Sequence, residues 1–191
     1  MTSLSKFCLH WTAGSNKPCD TDLQAYHYCI DKYGRIFAGI YEPKDNVNCY
    51  DGKYAKHCGG GNTGCIGLAV CGMAEFTESK KQTKYPLTRK QIEALCCLNA
   101  YLSIKYGIIV DEKSVFTHYE FDQRRQKKLR EGKIDITYIH YLPNLSANSI
   151  GNYLRQKISW YKEKIKSGNY ELKKKGNCYE FTYLPKRLET F

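Results

Sequence analysis

Cys65-Ile66-Gly67-Leu68-Ala69-Val70-Cys71-Gly72 is an unbroken apolar run, and its reading decides the architecture. An almost wholly apolar run of this kind is as expected of a central strand. Working outward from it, residues 41–64 are loop-like, with Pro43, Asp45, Asn46, Asp51 and the run Gly59-Gly60-Gly61-Asn62. Before them, residues 26–31 and 35–40 read as a hairpin about Lys32-Tyr33-Gly34, and residues 6–12 as a short buried strand ending in Ala13-Gly14-Ser15-Asn16. On the other side, Thr88 and Gln91 form a capping box, with Leu87 and Ile92 as its hydrophobic staple. They open a helix over 88–106 that Gly107 stops. Residues 114–117 read as a strand leading into His118, residues 149–167 as a basic amphipathic helix, and residues 178–183 as a terminal strand. Helices and strands mix, so the class is α/β or α+β: a central mixed sheet flanked by helices. Residues 1–145 form the expected main domain, and 146–191 a basic extension packed on it.

The 191 residues suffice to bury a core without disulfide staples, and 42% hydrophobic with 26% charged residues reads as soluble and globular. No stretch approaches the 18 or so apolar residues of a membrane span. Met1-Thr2-Ser3-Leu4-Ser5-Lys6-Phe7 shows no export leader, so synthesis in the cytoplasm is expected. None of the ten cysteines forms a Cys-x-x-Cys pair, so they are expected to be mostly buried, reduced thiols, with Cys58 and Cys65 the pair to watch. The net charge of +11 is confined to two segments, +5 in 124–133 and +6 in 151–191. A positive field so placed suggests a polyanionic partner. The basic run has few interleaved aromatics and no helix-turn-helix or zinc-finger spacing, which argues against a specific nucleic-acid partner.

His10 ends one apolar strand and His118 follows another, so both project into a mouth rather than a core. Asp135 lies in Gly132-Lys133-Ile134-Asp135-Ile136, and an extended stretch would put Lys133 on the same face. Two imidazoles and a carboxylate leave a fourth zinc position open, the usual arrangement for a catalytic ion.

Five pieces then occur in order: His10-Trp11-Thr12-Ala13; Tyr26-His27-Tyr28 with Asp31-Lys32-Tyr33-Gly34-Arg35-Ile36; His57 leading into Gly59-Gly60-Gly61-Asn62; the run 66–72; and His118-Tyr119-Glu120 with Lys133-Ile134-Asp135. In these the chain resembles the zinc amidases of the phage-lysozyme type. These N-acetylmuramoyl-L-alanine amidases share a fold with peptidoglycan-recognition proteins and bacterial amidases of the second class. The resemblance covers residues 6 to about 140. It implies Zn2+ held by His10, His118 and Asp135, oxyanion stabilisation by Lys133, and a catalytic role for Tyr26. It also implies substrate contacts from His57 and Asn62. The run 66–72 carries no acid, so the tyrosine-using branch fits better than the branch with a glutamate on that strand.

The insertion between His118 and Asp135 is longer than the family usually carries, and Ile136-Thr137 stands where many relatives have proline and glycine. Asp122 and His140 are therefore alternative third ligands. The implied activity is cleavage of the amide between the lactyl group of N-acetylmuramic acid and L-alanine in bacterial peptidoglycan. The resemblance suggests a monomeric phage or prophage endolysin, held on anionic envelope components by its basic segments and reaching the wall after release or delivery. A delivered antibacterial effector and a non-catalytic peptidoglycan-recognition module are the alternatives.

Overall fold

The computed structural model describes residues 3–184. A single mixed sheet runs through it, built from β1 (Lys6–Trp11), β2 (Tyr28–Ile30), β3 (Ile36–Ala38), β4 (Cys65–Val70), β5 (Val115–Thr117), β6 (Tyr170–Lys175) and β7 (Cys178–Tyr183). The order is β5-β1-β4-β2-β3-β7-β6. β1 is parallel to both β4 and β5, and β2 is parallel to β4, whereas β2–β3, β3–β7 and β7–β6 pair antiparallel. Four helices accompany the sheet: α1 (Asp20–Ala25), α2 (Arg89–Tyr106), α3 (His118–Arg124) and α4 (Ala147–Lys166).

Strand alternation sorts the residues onto two faces. Phe7, Leu9 and Trp11 of β1, with Ile66, Leu68 and Val70 of β4, enter the main core with Ile92, Leu95 and Leu102 of α2 and Leu154 and Ile158 of α4. The opposite face of the same two strands carries Cys8, His10, Cys65, Gly67 and Ala69. There Cys8 and Cys65 pack with Cys58 and Phe116, and Ala69 packs with Cys29 and Cys71. Both faces of β4 are thus covered, which is why its sequence is apolar throughout. Ten free thiols are present, and eight are buried.

Helix α2 begins as its sequence indicates. The Thr88 hydroxyl accepts from Gln91 N, Thr88 N donates to the Gln91 carboxamide, and Gly107 closes the helix at φ +66°. Its Gln91 side chain also ties down the backbone of the sheet, donating to the carbonyls of Ile30 and Cys71. Helix α4 lies along α2, its Gly151 against Glu120, where any Cβ would overlap the carboxylate. That close approach lets Arg155 pair with Glu120 at 3.0 Å and donate to the Val115 carbonyl, fastening α4 to β5 and α3. The residues after α4 continue the same sheet rather than forming a separate layer, with β7 pairing with β3. No helix of the described residues is long and apolar enough to cross a membrane.

Candidate metal centre

β1 and β5 are parallel neighbours, so their C-terminal ends open at the same edge of the sheet, where open α/β folds place their sites. His10 sits near the end of β1. His118 is the first residue of α3, directly after β5, whose Thr117 caps the helix by accepting from Glu120 N. Their rings lie 4.7 Å apart. Asp135 reaches both from a loop, with Oδ2 2.9 Å from His10 Nδ1 and 3.2 Å from His118 Nδ1. The three donor atoms lie within 4.8 Å of one another.

A chain of hydrogen bonds behind His10 favours one of its tautomers. His57 Nε2 is 3.2 Å from the Cys65 carbonyl, which can only accept, so this nitrogen carries the proton. Burial, followed by the neighbouring imidazoles, pushes the His57 pKa well down, and the ring is neutral. His57 Nδ1 is therefore an acceptor and takes a proton from His10 Nε2, 3.2 Å away. Burial also lowers the His10 pKa, against the pull of Asp135. A neutral His10 then turns the lone pair of Nδ1 toward the Asp135 carboxylate. Two lone pairs 2.9 Å apart repel, and a metal ion between them, or in its absence a proton on His10 Nδ1, relieves that. The edge of a zinc tetrahedron with bonds of ~2.0–2.1 Å is about 3.3 Å. The donor set thus fits zinc in chemistry and in spacing. Without metal, Asp135 is held far down because the two histidines outweigh the effect of its burial. Burial likewise works against a charged His118, but Asp135 and Cys58 raise its pKa to about 9.

The structure separates the other expected residues into three groups. Tyr26 joins the centre, its ring 5.1 Å from that of His10, and burial first of all holds its hydroxyl protonated. A cavity of about 310 Å³ lined by Thr21, Gln24, Ala25, Tyr41, Tyr54 and Lys56 lies beside the segments carrying Tyr26 and His57. A larger cavity, about 720 Å³, is lined by residues of α2, α4, β6, β7 and the Tyr33-Gly34 turn and touches none of the expected site residues.

His57 and Asn62 are each engaged by bonds within the protein. His57 is 6% exposed and lies over Gly67, where any Cβ would overlap its ring. Asn62 uses its side-chain oxygen to accept from the backbone of His57 and Cys58, so it shapes the loop.

Lys133 is not on an extended stretch with Asp135. No strand forms there, Ile136 has φ +57°, and the Lys133 ammonium pairs with Glu131 at 3.1 Å. The alternative ligands fall elsewhere. Asp122 accepts from the backbone of Glu131, Gly132 and Lys133, and these bonds outweigh burial to lower its pKa. It is the anchor that lets a long insertion still deliver Asp135. His140 packs against Tyr138, away from the donors.

Residues 2–133 match the family model described as N-acetylmuramoyl-L-alanine amidase. The chain belongs to this family. The amidase thus carries the family's activity, hydrolysis of the bond between N-acetylmuramic acid and the L-alanine of the peptide stem. The match ends before Asp135, so the third donor rests on geometry. No curated protein matches the amidase in sequence. Similar solved structures include the N-acetylmuramoyl-L-alanine amidase LysC from Clostridium intestinale URNW, 21% identical with a TM-score of 0.43 over 66% of this chain and 76% of that one. The Ph2119 endolysin from the Thermus scotoductus MAT2119 bacteriophage is 15% identical with a TM-score of 0.49 over 82% and 86%. Drosophila peptidoglycan recognition protein SD is 19% identical with a TM-score of 0.43 over 62% and 71%.

Sequence reasoning missed His27 and Asn46, which support the floor of the centre. His27 Nδ1 accepts from Gly67 N, so its Nε2 donates to Asn46 Oδ1, which in turn accepts from Ala55 N. Burial lowers the His27 pKa to about 4, keeping the ring neutral in this role. No sequence signal marks Asn46. The Thr117-x-x-Glu120 capping box, in contrast, was there to announce α3.

His57→Phe should test the proton chain. The ring volume is kept while the acceptor for His10 Nε2 is lost. Residues that orient a metal-bound histidine typically contribute 10–100-fold in affinity, and a zinc Kd weakened by about that factor is expected. Unchanged zinc affinity in a competition titration would reduce His57 to packing.

Proposed function

We propose that the amidase is zinc-dependent, with His10, His118 and Asp135 as ligands and zinc-activated water as the attacking group. The observation that carries this is the direction of the His10 lone pair. Cys65 O orients His57, His57 favours the Nε2 proton on His10, and in that tautomer His10 Nδ1 meets the Asp135 carboxylate lone pair to lone pair, an arrangement a metal ion would bridge. When bound, zinc supplies a Lewis acid and lowers the pKa of water from 15.7 toward ~7. Tyr26, neutral and beside His10, holds a proton that it can donate to the developing oxyanion. Lys133, at the end of the Asp122-anchored loop, supplies positive charge to the same oxygen. Metal analysis of purified protein together with mass spectrometry of digested muropeptides tests the reading. One zinc per chain and free stem peptides beginning with L-alanine are expected. An active chain devoid of metal would overturn it.

In this reading the amidase is a phage or prophage lysis enzyme that acts as a monomer on the cell wall. Its basic segments serve adsorption to anionic envelope polymers. The observation behind this is charge placement: Lys127, Lys128 and Arg130 lie exposed on the insertion, and Lys173, Lys174 and Lys175 lie exposed on β6. The Debye length falls from ~30 Å at 0.01 M salt to ~8 Å at 0.15 M, so activity on intact walls should drop steeply over that range. Activity on a soluble muropeptide should hardly change. An equal response of both substrates would remove the adsorption role.

A further inference from the structure

On the inner side of His10 stands a second set of donors. Cys8 precedes His10 by two residues on β1 and so shares its face. Cys8 Sγ, a His10 ring nitrogen and a His57 ring nitrogen lie within 4.8 Å of one another, and all three residues are buried. We propose that His10 is shared by two mutually exclusive metal sites, and that the second, formed by Cys8, His10 and His57, takes a thiophilic ion such as cadmium. The proposal rests on the zinc reading of the first site.

Exclusion follows from imidazole chemistry. A neutral ring has one lone pair and one N–H. With the proton on Nε2, bonded to His57 Nδ1, His10 offers Nδ1 to the outer set. With the proton on Nδ1, it donates to Asp135 Oδ2 at 2.9 Å, an ordinary hydrogen-bond length. Nε2 then turns its lone pair inward, toward the lone pair of His57 Nδ1. Asp135 changes from ligand to hydrogen-bond acceptor without moving, and His57 keeps its own Nε2 proton on Cys65 O throughout. One proton relocation on His10 therefore selects the site.

The donors select the ion. A thiolate with imidazoles holds softer ions as well as zinc, whereas a carboxylate with two imidazoles lacks the sulfur that the softer ions favour. Cys65 packs against Cys8 on the inner side, and Cys58 lies between Cys8 and His118. When the ion binds, the Cys8 thiol gives up its proton to solvent. As the outer zinc leaves, His10 moves its own proton from Nε2 to Nδ1 and His118 takes one up at Nδ1 from solvent, so both rings then donate to Asp135.

The test uses zinc-loaded protein carrying Cys19→Ser and Cys49→Ser, which removes the exposed and half-exposed thiols outside the centre. Cadmium is added while thiolate-to-cadmium charge-transfer absorbance and zinc release to a chromogenic indicator are read together. Both should rise in step, one zinc leaving for each cadmium that gains the band, and Cys8→Ala should lose the band. A band that forms while zinc stays bound overturns the proposal, as does zinc release without a band. A Cys8→Ala protein that keeps the band also overturns it. If that variant does not fold, the coupling in the parent protein still decides. A parent that binds no zinc at the outset overturns the zinc reading, and with it the exclusion. Cadmium added to that metal-free chain still shows whether the thiol site exists.

Discussion

His10→Ala is expected to lose bound zinc and amidase activity together, with turnover falling to the uncatalysed background. His10 belongs to both the donor set and the proton chain behind it, so its removal leaves two ligands and a His57 Nδ1 without its partner. The residue is fully buried, and the variant's melting curve must accompany the assay. Asp135→Ala is the sharper companion because Asp135 lies on a loop and carries no core packing. It should also lose zinc, while His118, raised to about 9 chiefly against burial by that carboxylate, should return toward its ordinary range in the metal-free protein. Full zinc occupancy in Asp135→Ala would remove it from the ligand set. A metal-loaded but inactive His10→Ala would move the zinc elsewhere.

Lys133→Ala should leave zinc in place and substrate binding nearly intact while kcat falls by about 10²–10³, since charge aimed at an oxyanion acts in the transition state. The resting structure holds this ammonium on Glu131, so the role requires that it let go. Glu131 is equipped for that: its other oxygen is bonded to Arg125 at 2.8 Å, so the carboxylate keeps a cation when the lysine leaves. A Lys133→Ala enzyme with raised KM and unchanged kcat would show a lysine that grips the substrate. An enzyme unchanged in both would leave Lys133 as a partner of Glu131 alone.

The periodic parts of the sequence read well because their burial is local in origin. Strands β1 and β4 and helix α2 each display a pattern that one element suffices to explain. His10 and His118 were legible as ends of such elements. The loop 41–64 has no period, so nothing in it shows that His57 turns inward over Gly67. That fact belongs to contacts between distant segments. The insertion misleads for a related reason: its length casts doubt on Asp135, and only the Asp122 side chain, bonded to three successive backbone N–H groups, shows why length does not matter. The glycines at 59–61 look like a substrate loop, yet they sit against Glu131, Arg125 and Phe121 and make room for the insertion. Strand β6 was missed because Lys173-Lys174-Lys175 reads as solvated coil, whereas Tyr170 and Leu172 alone pack against the core.

Among the described residues, β6 is the outermost strand of the sheet on its side. Its outer edge bears backbone groups with no neighbouring strand, the kind of border onto which another molecule's strand can add. Lysines crowd that border, so a second copy arriving edge to edge would bring its own lysines against them. Like charges at strand spacing repel, and ammonium groups resist the loss of water that pairing demands. The three residues proposed above to draw the chain toward anionic polymers would thus also disfavour the templating of growth on itself.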